Sequence, residues 1–295
     1  MLKYRLIFGT LMTVLFAGLI LYEARLDGSL GGSGVVGLLS VKGHFLFVLV
    51  LILTVPAILE LAAMAKKRET IIFLPVAIPC TLLTATFWYW KQYHEGMEKY
   101  SFVILLFILS ISILSSFFYQ AFRYSTQNVL KNCSATVFSI LYLGLLCSFI
   151  LGIRIDYGPW AFLMFIFTVK SSDIGAYTFG RLFGKHKMAP TISPGKTWEG
   201  LGGAIVVAGL TGYLFGLLCG IMYPALGFLF GVIFAVLGQM GDLAESMLKR
   251  DAASKDSSLL IPGFGGILDV IDSPLATAPA AYAFFFMIKI YYCGI

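Results

Sequence analysis

The sequence predicts an all-α polytopic membrane protein, and three observations carry that prediction. Of 295 residues, 59% are hydrophobic and 12% charged, and the mean hydropathy is +0.90, well above the roughly half-apolar usage of soluble domains. The apolar residues gather in runs close to the about 20 residues that carry a helix across a bilayer core. Too little chain remains between those runs for a soluble domain. About nine transmembrane helices are expected: Leu6–Tyr22, Phe45–Ala65, Ile71–Trp90, Phe102–Tyr119, Ser134–Ile153, Tyr157 to about Gly180, Leu201–Met222, Pro224–Met240 and Ser273–Tyr292. Together they read as one integrated membrane domain, with a scaffold over residues 1–156 and a chemistry-bearing region over residues 157–295.

Taken in order, the first run follows Lys3 and Arg5 as a signal peptide would, but no small-x-small cleavage site precedes Glu23, so the helix is expected to be retained. The stretch DGSLGGSGVVG (Asp27–Gly37) reads as a flexible loop, because neither a helix start nor a Lys-Ser/Thr pair follows to make it a phosphate cradle. The third run closes on the aromatic-rich FWYWKQY (Phe87–Tyr93). Cys80, Cys133, Cys147, Cys219 and Cys293 lie far apart, with no CxxC and no histidine at ligand spacing, which argues against a zinc site or a disulfide framework. In a membrane protein the net charge of +6 bears first on topology, and no nucleic-acid partner is expected. With the N-terminus inside, fifteen Lys and Arg fall on inner segments, against six (Arg25, Lys42, Lys91, Lys99, Arg154, Lys289) outside. This bias puts the N-terminus and both charge-rich loops of the second half in the cytoplasm, and the C-terminus outside.

The acids are not spread evenly. Eight of the fifteen Asp and Glu lie between residues 173 and 272, some at the ends of apolar runs, where an ionisable group is a functional candidate by default. The sixth run is apolar only from Tyr157 to Val169 and must continue through Lys170 and Asp173 to cross a bilayer. At helical spacing Asp173, Ala176, Tyr177 and Gly180 then share a face, aiming an acid and a phenol into a protein-lined cavity. The alternative is an interfacial helix end with Lys170 snorkelling. Next comes SPGKTWEG (Ser193–Gly200). Pro194 and Gly195 prevent regular helix, Lys196 and free N–H groups suit phosphate oxygens, and Thr197 or Glu199 can begin the following helix. The stretch is not a P-loop: the first glycine and the preceding strand of that motif are missing.

The second charged stretch runs from Asp242 to Ser273. If the eighth helix continues past Gly241, Asp242, Glu245, Ser246, Lys249 and Arg250 recur on one face at steps of three or four. Lys255 and Asp256 enter the connection, and Pro262, Gly263, Gly265 and Gly266 allow a tight backbone that approaches a ligand closely. Asp269 and Asp272 follow at i, i+3 before the last apolar run. A purely structural ion-pair network among Asp242, Lys249, Arg250 and Asp269 is one reading. A metal and phosphate site also accounts for the glycines, with carboxylates for magnesium and cations for phosphate charge.

These two stretches resemble the signature segments of phosphatidate cytidylyltransferases (CDP-diacylglycerol synthases). Asp173, Ala176, Tyr177, Gly180, Arg181, Gly184, Lys185, Ser193, Pro194, Lys196, Thr197, Glu199 and Gly200 carry the first resemblance. Ser246, Lys249, Arg250, Lys255, Asp256, Pro262, Gly263, Gly265, Gly266, Asp269 and Asp272 carry the second. The likeness covers mainly residues 167 to 275. Phe264, Val270 and Gly195 depart from it, standing where the family has His, Arg and Lys. Phenylalanine can neither ligate nor donate a hydrogen bond, and valine removes a cation beside the acids.

The resemblance implies transfer of CMP from CTP to phosphatidate at a site between the C-terminal helices, on the cytoplasmic face of a bacterial inner membrane. It implies Asp242 and Asp269 as ligands of Mg2+, with room for a second cation. Lys249, Arg250, Lys255, Asp256 and Asp272 are implied to be catalytic, and Asp173, Tyr177, Arg181, Ser193, Lys196, Thr197, Glu199, Ser246, Gly265 and Gly266 to bind substrate. The expected partners are CTP, phosphatidate and the bilayer, in a homodimer. The rival readings are a CTP-dependent polyprenol or phytol kinase, a CDP-ether-lipid synthase, an ion-coupled transporter and an inactive relative.

Overall fold

A computed structural model describes residues 2–30, 41–93, 97–254 and 265–293. The described residues form ten α-helices, one π-helical turn and one short hairpin: α1 (Leu2–Leu26), α2 (His44–Lys66), α3 (Leu74–Ala85), α4 (Phe87–Lys91), α5 (Met97–Tyr124), α6 (Val129–Ser139), the π turn (Ile140–Leu145), α7 (Leu146–Phe183), β1 (Lys187–Ala189), β2 (Ser193–Thr197), α8 (Trp198–Cys219), α9 (Pro224–Asp251) and α10 (Ile267–Cys293). Helix is the expected answer for apolar chain in lipid, where every backbone N–H and C=O must find its partner within the segment. Among the described residues six helical segments are long and apolar enough to cross a membrane: His44–Lys66, Lys99–Tyr124, Val129–Phe183, Trp198–Cys219, Pro224–Asp251 and Ile267–Tyr291. The protein is therefore an integral membrane protein.

Three of the expected spans look different in the structure. Ile71–Trp90 is not one helix: Thr86 leaves helical geometry (φ −96°, ψ 6°) and separates the twelve-residue α3 from the short α4. The runs at 134–153 and 157–180 join into one continuous helical segment, interrupted at Gly158 (φ 89°, ψ 179°) just before Pro159. A positive φ at that point suits glycine alone, and Pro159 removes an N–H from the ladder.

Contacts sort the bundle into two ends. At one, Arg154 is fully buried against Asp27 (2.7 Å) and Glu23 (3.5 Å), and Trp88 Nε1 and Tyr282 OH both donate to Asp156 Oδ2 at 2.7 Å. At the other, Ile71 N donates to Asn132 Oδ1 (3.0 Å), Arg68 pairs with Asp251 (3.3 Å), and Lys196 of β2 reaches Asp242 of α9 (2.8 Å). The segment Val129–Phe183 thus starts at the second end, reaches the first at Arg154 and comes back to the second at Asp173. Between the ends lies an apolar core in which Phe230 stacks on Phe234 (4.1 Å between ring centres) and meets Phe285 (5.3 Å). Helices α8 and α9 pack backbone to backbone: a Cβ on Gly212 would lie 2.1 Å from the Gly227 carbonyl oxygen. Without a strong hydrophobic drive between helices in lipid, such close approach of small residues supplies the contact.

Candidate active site

The second end carries the chemistry, and five elements build it. The C-terminal turns of α7 present Asp173, Tyr177 and Arg181. The antiparallel hairpin, with Lys187 opposite Thr197 and Ala189 opposite Ser193, holds Lys196. Thr197 is the N-cap of α8, its Oγ1 accepting from Gly200 N (3.1 Å). The last turns of α9 bring Asp242, Glu245, Ser246, Lys249 and Arg250, and the start of α10 brings Asp269 and Asp272. Asp173, Tyr177, Arg181, Ser193, Gly195, Lys196, Thr197 and Asp242 line a single cavity of about 350 Å³.

A continuous charge network runs beside that cavity. Lys170 pairs with Asp173 (3.7 Å), and Gln239 Nε2 donates to Asp173 Oδ1 (3.4 Å) while its backbone oxygen accepts from Lys196 Nζ (2.9 Å). Lys196 also pairs with Asp242. Ligand atoms of Asp242, Glu245 and Asp272 all lie within 4.8 Å of one another. Lys249 bridges Glu245 to Asp269, at 2.6 Å on the Asp269 side. Five carboxylates (Asp173, Asp242, Glu245, Asp269, Asp272) therefore meet three ammonium groups (Lys170, Lys196, Lys249), two more acids than lysines. Glu245 and Asp272 are buried, and Glu245 Oε1 accepts no hydrogen bond among the described residues. Buried like charges this close are costly unless a cation joins them.

The acids that stand closest to Asp242 are Glu245 and Asp272, whereas Asp269, expected beside Asp242 at a magnesium ion, has other partners. Asp269 Oδ2 accepts from Gly266 N (2.7 Å) and Oδ1 from Lys249 Nζ (2.6 Å). At the third helical position of α10 it reaches back to the N-terminal N–H, the acid half of a capping box. Gly265 sits at φ +89°, and a Cβ there would lie 2.5 Å from Asp269 Oδ2. These glycines thus admit the Asp269 side chain. Asp272, one turn on, is the acid that stands with Asp242 and Glu245. No second group of three ligating side chains occurs among the described residues.

Other expected site residues take up varied positions. Glu199 accepts from Lys185 N (3.1 Å), His186 N (3.2 Å) and His186 Nδ1 (2.6 Å). It fastens the turn between α7 and the hairpin, and is not part of the cavity lining. Ser246 Oγ donates to Asp242 Oδ1 (3.4 Å). Arg250 Nε donates to Ile192 O (3.0 Å), tying α9 to the hairpin turn. Arg181 Nη1 donates to Tyr177 OH (3.0 Å) at the outer wall. Lys255 and Asp256 lie outside the described residues, as do Pro262, Gly263 and Phe264.

Sequence reasoning missed Gln239 and, more consequentially, Glu60. Glu60 lies within α2, buried, and its two carboxylate oxygens accept from Ile267 N (2.9 Å) and Leu268 N (3.0 Å). A scaffold helix thereby caps the first turn of α10, whose orphan N–H groups and dipole favour a carboxylate. The signal was available: Glu60 is an acid inside an apolar run.

A family model described as the cytidylyltransferase family matches residues 25–288. Among curated proteins, a phosphatidate cytidylyltransferase of Mycobacterium bovis is 44% identical over 164 residues, covering 54% of this chain and 52% of the relative. One from Bacillus subtilis is 41% identical over 145 residues (48% of this chain, 54% of the relative). A third, from Haemophilus influenzae, is 42% identical over 132 residues (43% and 46%). The chain spans about half the length of the curated relatives it matches.

Proposed function

The chain belongs to the cytidylyltransferase family, and from that premise we propose that it transfers the cytidylyl group of CTP to phosphatidate, giving CDP-diacylglycerol and pyrophosphate. A phosphate oxygen of the lipid attacks the α-phosphorus of CTP. The new P–O bond forms as the bond to the β-phosphate bridging oxygen breaks, and pyrophosphate carries away the electron pair. The nucleophile is already an anion, so the protein's task is to position two polyanions and neutralise their charge. Lys196, held by Gln239 O and Asp242, and Lys249, held by Glu245 and Asp269, stand where phosphate oxygens would draw on their remaining donors. Arg181 spends one donor on Tyr177 and offers the rest of its fork to the cavity. Thr197 and the start of α8 add N-terminal helix dipole at the same wall.

The residues present fit a magnesium ion. Asp242, Glu245 and Asp272 offer hard oxygen donors close together, one oxygen of Glu245 is unpartnered among the described residues, and the excess of acids over lysines in the network favours a divalent cation. When bound, the ion would supply charge neutralisation on the triphosphate. That excess of acids beside a polar cavity is the observation that carries the reading.

We place this end of the bundle on the cytoplasmic face of a bacterial inner membrane, from the fifteen-to-six bias of Lys and Arg and the bacterial sources of the relatives. We further read Val129–Phe183 as two crossings turning at Gly158, and α3 with α4 as one broken crossing. In a cysteine-free background, a cysteine at Lys187 should react with an impermeant thiol reagent only from the cytoplasmic side; labelling from outside overturns the orientation. Light scattering of the solubilised protein tests the expected homodimer. The activity is tested with purified protein, phosphatidate, Mg2+ and CTP labelled at either phosphate. Label from the α-phosphate should enter the lipid. Entry of γ-label instead identifies a lipid kinase, and entry of neither refutes nucleotide-dependent lipid modification.

A further inference from the structure

A second cavity, of about 190 Å³, lies between α2, the π turn, α7 and α10, and its lining includes Val50, Leu53, Leu143, Ile166 and Leu275. Its wall is apolar apart from Thr54, Cys147 and one charged group, Lys170. Thr54 is already committed, its Oγ1 donating to Val50 O (2.6 Å). The position of Lys170 has a local cause. Pro274 lacks the N–H that would serve the carbonyl one helical turn back, at Val270, and Lys170 Nζ donates to that carbonyl (2.9 Å). The ammonium is thus tethered to α10 at the rim of the apolar cavity, 3.7 Å from Asp173, which lines the polar cavity. One of its donors goes to Val270 O, and Asp173 stands at ion-pair distance.

A single cation at the rim of an otherwise uncharged apolar cavity is complementary to one kind of molecule, an alkyl chain bearing an anionic head. The Lys170–Asp173 pair, one residue lining each cavity, places that head beside the acids and lysines of the site. We propose that this cavity receives an acyl chain of the lipid phosphate acceptor and that Lys170 binds its phosphate. The proposal rests on the cytidylyltransferase reading for the identity of the reaction, but not for the chemistry of the ligand. Val270 then has a role of its own: it lines the acyl cavity, and its backbone oxygen orients Lys170.

Two measurements on the full-length protein in mixed micelles test this. The first compares KM for dipalmitoyl and dihexanoyl phosphatidate in wild type, Ile166→Trp and Lys170→Met. Filling the cavity with indole should raise the ratio of the two KM values about tenfold, the scale of an overpacked apolar contact. Lys170→Met should raise KM for both lipids by about tenfold or more, as loss of a charged hydrogen bond does, with KM for CTP changed by less than about twofold. An unchanged ratio in Ile166→Trp overturns the acyl subsite, and equal effects on CTP and lipid overturn the role of Lys170. Leu143→Phe replaces Ile166→Trp if that variant does not fold. The second measurement needs no turnover. A phosphatidate with a diazirine at its acyl terminus, photolysed with wild-type protein in the absence of CTP, should crosslink to α2, α7 or α10 residues of this cavity, and less so in Ile166→Trp. Crosslinks confined to the outward faces of the bundle overturn the subsite whether or not the protein transfers nucleotide. Correct crosslinks without transfer refute the reaction while retaining the subsite.

Discussion

Buried charge occurs at both ends of this bundle, and the two clusters differ in what surrounds them. At the end formed by α1, α2 and the middle of Val129–Phe183, the carboxylates of Glu23 and Asp27 face Arg154, which is fully buried. Both acids also accept from backbone N–H groups: Glu23 Oε1 from Phe45 N in the first turn of α2 (2.5 Å) and Asp27 Oδ1 from Ser29 N (2.9 Å). At the other end, five carboxylates and three lysines stand at or beside a cavity of about 350 Å³, and one Glu245 oxygen has no donor among the described residues. Burial of ions therefore does not by itself identify a site. Accessible volume beside the charges separates the two, because an enclosed cluster such as that of Arg154 fixes chain geometry whereas one that borders a cavity has room to bind.

The largest test of this contrast lies in the acids. Asp242→Asn and Asp272→Asn should each lower transfer by about 10³-fold, the scale of losing a charged group that stabilises developing charge, while the protein still extracts as a folded species. Asp269→Asn should cost less, about tenfold, with a lower melting temperature, because this acid holds Lys249 and the start of α10. Steady-state rates at several magnesium concentrations give the ranking. If Asp269→Asn proves more damaging than Asp272→Asn, the ion is shared by Asp242 and Asp269 as the sequence alone suggested.

Arg154→Met tests the other end. Leaving Glu23 and Asp27 buried without their cation should destabilise the protein by about 3–5 kcal/mol, read as a fall in melting temperature. Transfer per folded molecule should stay within about twofold. A large drop in kcat without loss of stability would place this cluster in the chemistry and dissolve the contrast.

Glu60 probes the joint between the scaffold helix α2 and the start of α10. Glu60→Ala strips two buried N–H groups at the start of α10 of their acceptor, each costing about 1–3 kcal/mol. It should lower both stability and kcat, with KM for CTP little altered, while Glu60→Gln should recover part of each because it keeps one acceptor oxygen. Equal effects of the two substitutions would mean that Glu60 contributes bulk alone. The smallest expected effect belongs to another contact of the scaffold with the site helices, between the residues after α2 and the end of α9. The Arg68–Asp251 pair is exposed, so Arg68→Ala should change stability by less than about 1 kcal/mol and leave transfer unaltered. A loss as large as that of Glu60→Ala would show that the joint is held at the surface.

Within one helix, spacing is a reliable guide. Asp173 and Tyr177 line one cavity, as a shared face of α7 requires, and Asp242 and Glu245 lie one turn apart on α9. Membrane helices were legible too, since lipid leaves apolar chain little choice but to satisfy its backbone internally. Length was harder to read. Thr86 breaks one expected span and the segment around Gly158 joins two others, because hydropathy runs report apolarity and do not register a single backbone angle.

What the sequence determined by itself was composition and period: an all-helical membrane chain with its acids and lysines concentrated in two stretches near its C-terminal end. Which acid meets which was decided only by the tertiary structure. Asp269 and Asp272 are three residues apart and equivalent by spacing, yet one caps α10 and holds Lys249 while the other joins Asp242 and Glu245. Glu60 reaches residues more than two hundred positions away. The physical reason is that side-chain partners across helices depend on the depth and rotation at which helices dock. Those are set by contacts such as Gly212 against Gly227 and by capping at helix starts, which no interval along the chain encodes.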